Sequence, residues 1–321
     1  MAEPDQSRGV RGSAGSEFQR ALDDGRFVVT AEVSPPLSAD PAEFVAHATP
    51  LRGLATALNV TDGASAKAHM SSLVAAHFLL QNGIEPILQM TCRDRNRLAL
   101  QADLLGAVAL GIRNVLVLRG DEPSAGDQPE TKAVFDLGTT DVLAMARRMC
   151  AERRLPSGAE ITSPVPLVLG AADTPVDPPT DWQPAGLLAK AAAGADFVQT
   201  QFCMDPGVVR RYAARLLALG VAQRVPILIG VAPIPSARSA RWMREKLRGT
   251  LIPEELVQRL ERAADPRREG RRICVELMRE LAVIPGIAGA HVMAPRMHSA
   301  LAEVIAESGV VGTLRAGFAR A

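Results

Sequence analysis

Glu32 stands in the run Thr30-Ala31-Glu32-Val33-Ser34-Pro35-Pro36, a carboxylate inside an otherwise apolar stretch just before a Pro-Pro stop. An acid partly withdrawn from water holds its proton longer, which suits a general acid working near neutral pH. A structural strand-end Glu paired with an Arg gives the same pattern, so this residue alone leaves both readings open. Asn59-Val60-Thr61-Asp62-Gly63 and Gln89-Met90-Thr91-Cys92-Arg93-Asp94 place small hydrogen-bonding groups after apolar runs, where turn chemistry and helix capping compete with ligand binding. Leu118-Arg119-Gly120-Asp121-Glu122-Pro123 adds a glycine that lets a backbone come close to a ligand. It also adds Asp121, able to accept from an amino-pyrimidine edge. In Gln199-Thr200-Gln201-Phe202 side chains alternate in and out, and an inward Gln needs partners such as a heterocycle with amide-like edges.

Other chemistry is missing. Lys67, Lys132, Lys190 and Lys246 all fall in expected helices or loops, so no strand-end lysine is available for a Schiff base. His291 is the sole histidine on an expected strand, with no carboxylate or second histidine nearby in sequence, and no metal site is expected. The four cysteines, Cys92, Cys150, Cys203 and Cys274, make no C-x-x-C pair and read as reduced, mostly buried thiols. The reactive chemistry is therefore assigned to a cofactor or substrate.

The elements that must hold these groups are legible as a repeating phrase. Eight short apolar runs, at Phe27–Val33, Ala55–Thr61, Pro86–Thr91, Asn114–Arg119, Pro166–Gly170, Phe197–Phe202, Pro226–Val231 and Gly289–Met293, read as strands covered on both faces. Between them lie helical stretches at Pro41–Ala48, Ser65–Asn82, Arg95–Leu110, Thr140–Arg153, Trp182–Ala193, Gly207–Leu219, Ser236–Leu247, Glu254–Ala264, Arg267–Leu281 and Met297–Ser308. Four of these stretches run straight into a glycine, Gly83, Gly111, Gly194 or Gly220, as helix C-termini favour. Eight such units predict an α/β fold, a (β/α)8 TIM barrel, whose chemistry sits where strands end. No G-x-G-x-x-G follows the first strand, which argues against an open dinucleotide-binding sheet.

The reading is one barrel domain over residues 17–321 behind a flexible tail at 1–16, polar and without an apolar signal core. The 321 residues are 47% hydrophobic and 22% charged with a formal charge of +1 and 3% aromatics, which sets nucleic acid aside as a partner. No apolar run approaches ~18 residues, so a cytoplasmic protein without membrane spans is expected. The insert from Glu122 to Gly138 is open to two readings, a lid over the barrel mouth or a loop of no special role.

Taken in order, these segments resemble the methylenetetrahydrofolate reductase family from Phe27 to about Ala300. Glu32 with Pro35-Pro36 is similar to its E-x-x-P-P segment, and Val60-Thr61-x-Gly63 to its V-T-x-G turn. Thr91-Cys92 falls in its L-T-C, Leu118-Arg119-Gly120-Asp121 in its L-R-G-D, Ala193-Gly194-Ala195 in its A-G-A and Thr200-Gln201-Phe202 in its T-Q-F. The resemblance implies reduction of 5,10-methylenetetrahydrofolate to 5-methyltetrahydrofolate by NAD(P)H through a flavin, in a ping-pong scheme. It implies Glu32 as the acid at N10, Asp121 beside pterin and flavin as a further catalytic residue, and Gln201 on the folate. Thr61, Gln89, Thr91, Arg119, Gly120, Asp121 and Lys190 are implied on the cofactor side.

The departures concern that cofactor. Gln89 stands where the family has His, and Gly170-Ala171-Ala172-Asp173-Thr174-Pro175 lacks the usual Tyr-Pro and His-Pro. Gly186 and Ala189 replace two of three groups that serve the dinucleotide, leaving Lys190, and Ala237 stands where an aromatic is usual. FAD is the family default, and FMN or a flavin-free enzyme remain open. A homo-oligomer or a separate electron-transfer subunit is left open too. So are two competing functions: a pterin-using barrel without redox chemistry, such as a folate-dependent methyltransferase, and a non-catalytic folate or flavin binder.

Overall fold

The computed structural model describes residues 15–294 and 298–318, apart from the side chain of His298. Its strands are β1 (Val28–Val33), β2 (Ala57–Val60), β3 (Pro86–Thr91), β4 (Asn114–Leu118), β5 (Val168–Asp173), β6 (Phe197–Phe202), β7 (Ile227–Val231) and β8 (Gly289–Val292). They close in sequence order into a parallel barrel, and β8 returns beside β1 with His291 level with Thr30. The helices are α1 (Glu17–Asp23), α2 (Pro41–Ala48), α3 (Ser72–Gln81), α4 (Arg97–Ala109), α5 (Thr139–Glu152), α6 (Ala185–Ala192), α7 (Pro206–Ala218), α8 (Ala237–Lys246), α9 (Glu254–Arg262), α10 (Pro266–Ala282) and α11 (His298–Ser308).

Starts of several helices are written in the sequence. Asp40, Asp205 and Asp265 each precede a proline at the first helical turn and accept from free backbone N–H groups there. Small and branched apolar residues fill the outward faces of the strands, as Val29, Ala31 and Val33 do on β1, and lie buried under the helices. The inward face changes character along the barrel. At its N-terminal end Val28, Ala57, Ile87, Leu116, Val168, Phe197 and Leu228 form a closed apolar layer. Phe18 of α1 plugs that layer from below, edge-to-face with Phe197 at 4.9 Å. Phe197 fits because Gly170 has no side chain: a Cβ there would come within 2.3 Å of its ring.

Strand positions follow expectation to within a residue or two except β5, expected at Pro166–Gly170 and found two to three residues later. The helix expected from Ser65 begins at Ser72, because Gly63, Ser65 and Ala66 all take left-handed backbone angles that no α-helix continues. That expected from Trp182 begins at Ala185, after Pro184, which pushes Gln183 off helical geometry. Helix α1 was not expected. Of the expected tail only Gly15 and Ser16 are described, and Ser16 is the N-cap of α1. Met297, the expected start of the last helix, lies outside the described residues.

Candidate active site

Above the apolar plug the inward positions turn polar. Asn59 and Gln199 face each other across the barrel and exchange two side-chain hydrogen bonds, at 2.6 and 3.1 Å. Gln199 Nε2 also donates to Thr30 Oγ1 at 3.0 Å, and Thr30 Oγ1 lies 2.9 Å from His291 Nδ1. All four side chains are buried, and each is held by the others, as burial of polar groups demands. Two residues further along β1, Glu32 rises over this layer with its side chain 22% exposed. Gln89 Nε2 donates to Glu32 Oε2 at 3.2 Å, and His291 Nε2 lies 3.9 Å from the same oxygen.

The loops after β2, β3 and β4 are clamped together beside this acid. Asp62 accepts from the backbone N–H and hydroxyl of Thr91, both at 2.9 Å, from Ser72, and from Arg95 at 2.6 Å. Burial alone raises the Asp62 pKa, but the charge and hydrogen bonds of Arg95, with those of Thr91, outweigh it and hold the carboxyl below its ordinary value. Arg93 is buried, pairs with Asp94, and donates to the backbone carbonyls of Gly63 and Asp121. Asp121 itself is exposed at the rim, where its carboxylate accepts the backbone N–H of Ser65 at 3.0 Å. The 122–138 insert lies against the same loops. Val134 N–H donates to Arg93 O, Asp136 takes Arg97, and the Arg119 guanidinium sits 4.3 Å over the Phe135 ring while binding Glu122.

The structure thus joins Glu32 to Gln89 and sets Asp121 on the neighbouring rim. Thr61 is buried with its hydroxyl oxygen unpartnered, a polar atom suited to a ligand. Thr91 spends its hydroxyl on Asp62, Gly120 makes the left-handed turn that ends β4, and Gln201 accepts the Phe202 N–H through Oε1. Lys190 is engaged at the end of β5: its ammonium holds the Ala172 carbonyl at 2.6 Å and the Asp173 carboxylate at 3.1 Å. Among the described residues no three His, Cys, Asp or Glu side chains gather as a metal site would need. No described helix is long and apolar enough to cross a membrane. The four cysteines are unbridged, and burial raises each thiol, that of Cys203 to about 12.

Sequence reasoning missed His291 and Asp62. His291 carries no motif, and its partner Thr30 is 261 residues away in sequence, so the barrel closure alone brings them together. Asp62 occupies the variable position of the V-T-x-G turn, and nothing in its spacing announces Arg95.

Fold and site together define a (β/α)8 barrel with an inward-facing acid, Glu32, held over a polar layer at its strand ends. The family described as methylenetetrahydrofolate reductase matches residues 17–309, and the chain belongs to that family. A Caenorhabditis elegans relative named "Probable methylenetetrahydrofolate reductase (NADPH)" is 27% identical over 223 residues, 67% of this chain and 31% of that one. A Schizosaccharomyces pombe relative, "Methylenetetrahydrofolate reductase 2", is 29% identical over 214 residues, 64% of this chain and 32% of that one. The chain therefore spans about a third of the length of the curated relatives it matches. A solved Clostridium thermocellum protein, described as binding two copies of 5-methyl-5,6,7,8-tetrahydrofolic acid, has the same fold, with TM-score 0.62, 14% identity, and 91% and 97% of the two chains covered.

Proposed function

We propose that this chain reduces 5,10-methylenetetrahydrofolate to 5-methyltetrahydrofolate at the barrel mouth, with reduced nicotinamide as electron source and Glu32 as the acid. The observation that carries the reading is the setting of Glu32: an inward carboxyl over a satisfied polar layer, anchored through one oxygen only. A proton passed from Glu32 to folate N10 breaks the bond between N10 and the bridging carbon. The electron pair of that bond stays on N10, and the carbon is left as an iminium at N5. Hydride addition to that carbon yields the methyl group. Asp121 and Gln201 bind and orient the pterin edge, and family membership together with the relatives' names supports the substrate and the nicotinamide donor.

A flavin supplies a carrier for the hydride when one is bound. The orphaned Thr61 hydroxyl and the Gly120 turn are the groups that would hold its ring end. The diphosphate of an FAD does not fit the family's dinucleotide arm here. Gly186 and Ala189 offer no side-chain donor, and Lys190 is neutralised by Asp173, whose carboxylate would be left facing phosphate if the lysine moved. That pair favours the second reading, direct hydride transfer from nicotinamide to the folate.

Two measurements test this. Glu32→Gln is expected to bind folate normally and to lose roughly 10²- to 10⁴-fold in turnover, the contribution typical of a placed acid; unchanged turnover removes Glu32 from the chemistry. An absorbance spectrum of freshly purified protein is expected to lack a flavin band while NADPH or NADH is still oxidised on adding methylene-folate. A flavin band bleached by the nicotinamide overturns direct transfer.

A further inference from the structure

The donors in the barrel core are ordered, and their order reaches Glu32. Gln199 Nε2 gives one hydrogen to Asn59 Oδ1 and the other to Thr30 Oγ1. Thr30 Oγ1, already accepting, has one hydroxyl hydrogen of its own to place; His291 Nδ1 at 2.9 Å could donate to it or accept from it, and the hydroxyl has no other acceptor among the described residues, which favours Nδ1 as its acceptor. Nδ1 is then the bare nitrogen of the ring, and the imidazole hydrogen sits on Nε2, which faces Glu32 Oε2 at 3.9 Å. Gln89 Nε2 donates to that same oxygen from another strand. Two N–H groups therefore converge on Oε2, and Oε1 has no hydrogen-bond partner among the described residues.

From this geometry we infer that His291 is a positioning residue, which with Gln89 reserves Oε2 of Glu32 as the acceptor and leaves the transferable proton on Oε1. The physical reason is simple. A carboxylic acid places its proton on one oxygen, and a proton on Oε2 would meet the hydrogens of Gln89 and His291 head-on. On Oε1 it faces no donor. The His291 ring is also fixed in direction, since Thr30 and His291 are level on paired strands and Gln199, itself held by Asn59, braces Thr30 from the opposite wall. The chain Asn59–Gln199–Thr30–His291 thus sets a tautomer, and the tautomer sets which oxygen of the acid reacts. This inference rests on Glu32 being the acid.

The test has a catalytic and a spectroscopic arm. His291→Gln and the near-isosteric Thr30→Val are each expected to lower kcat roughly tenfold to a hundredfold, the scale of a misplaced reacting group, with KM for methylene-folate changed less than about twofold. In a Glu32→Gln background neither change is expected to lower kcat further, because both act through Glu32; a further fall of the same size marks a general structural defect and overturns the inference. Imidazole ¹⁵N NMR, with the His291 signal assigned by its loss in His291→Gln, is expected to show the Nε2-protonated tautomer in the native protein and its loss in Thr30→Val. An Nδ1-protonated ring overturns the inference whatever the kinetics. Full activity in Glu32→Gln is a different result, defeating the acid assignment while leaving the tautomer measurement to stand or fall alone.

Discussion

Arg95 reaches back from the loop after β3 to place Nη1 2.6 Å from Asp62 Oδ2 and Nε 2.7 Å from Asp103 on α4, so one guanidinium ties the end of β2 to the helix that follows β3. Asp62 is only 9% exposed, and removing it strips Arg95, itself 16% exposed, of its more buried carboxylate and leaves it Asp103 alone. Asp62→Ala is expected to cost about 3–5 kcal/mol, the range for breaking a buried pair. Urea unfolding of the variant measures this; a loss under about 1 kcal/mol shows the clamp to be structurally dispensable.

The same carboxyl predicts an acid-side stability loss. Its folded pKa lies below the ordinary 3.8, so it binds protons less readily folded than unfolded. The stability it contributes is complete above the unfolded value and drains away as pH falls through the folded one. Between pH 5 and pH 3 the native protein is expected to lose more stability than Asp62→Asn loses over the same range. Parallel curves for the two proteins count against this role.

Much of this architecture was readable from sequence because its signals are local. Apolar runs separated by helix-length stretches ending in Gly83, Gly111, Gly194 and Gly220 gave the strand count and hence the barrel. The strand ends, and with them Glu32, Thr61, Asp121 and Gln201, followed. Helix α1 carries a local signal as well: Ser16-Glu17-Phe18-Gln19 is the S-x-x-Q capping pattern, and Ser16 Oγ accepts the Gln19 N–H. The Thr30–His291 contact and the Asp62–Arg95 clamp had none, because each depends on which neighbours the closed sheet selects.

Phe18 closes the barrel floor, so its ring is expected to matter to stability well beyond the short helix that carries it. Phe18→Ala is expected to lose about 3–5 kcal/mol, as for other fully buried aromatics. Thermal unfolding reports it. A small loss means that the layer of Val28, Leu116 and Phe197 seals itself without the plug.

If Asp173 keeps Lys190 from phosphate, freeing the lysine should change what the protein binds. Asp173→Asn leaves a group able to accept from Tyr212, whose hydroxyl now donates to the carboxylate at 3.0 Å, so folding is expected to survive. Added FAD is expected to bind the variant more tightly than the native chain, by roughly tenfold for one unmasked charge-assisted contact. Equal affinity by fluorescence quenching shows that the Lys190–Asp173 pair is not what excludes the dinucleotide.

Gln201 owes its place to an irregularity in the sheet. Gln199 is level with Leu228, but Phe202 is level with Gly230, so three steps on β6 match two on β7 and the strand bulges at Thr200 and Gln201. Thr200 Oγ1 repairs the interrupted ladder by accepting the Gly230 N–H at 3.0 Å. The bulge survives because residue 230 has no side chain: a Cβ would stand 2.4 Å from the Thr200 carbonyl oxygen and 2.8 Å from the Gln201 backbone. Backbone cannot yield as a side-chain tip does, so Gly230→Ala is expected to cost about 1–3 kcal/mol and to flatten or shift the bulge. With Gln201 displaced, KM for methylene-folate is expected to rise several-fold, and Gln201→Ala in the native background to raise it comparably without the stability loss. If Gly230→Ala unfolds earlier yet binds folate as well as the native chain, the bulge serves the sheet alone and Gln201 is not among the folate's partners.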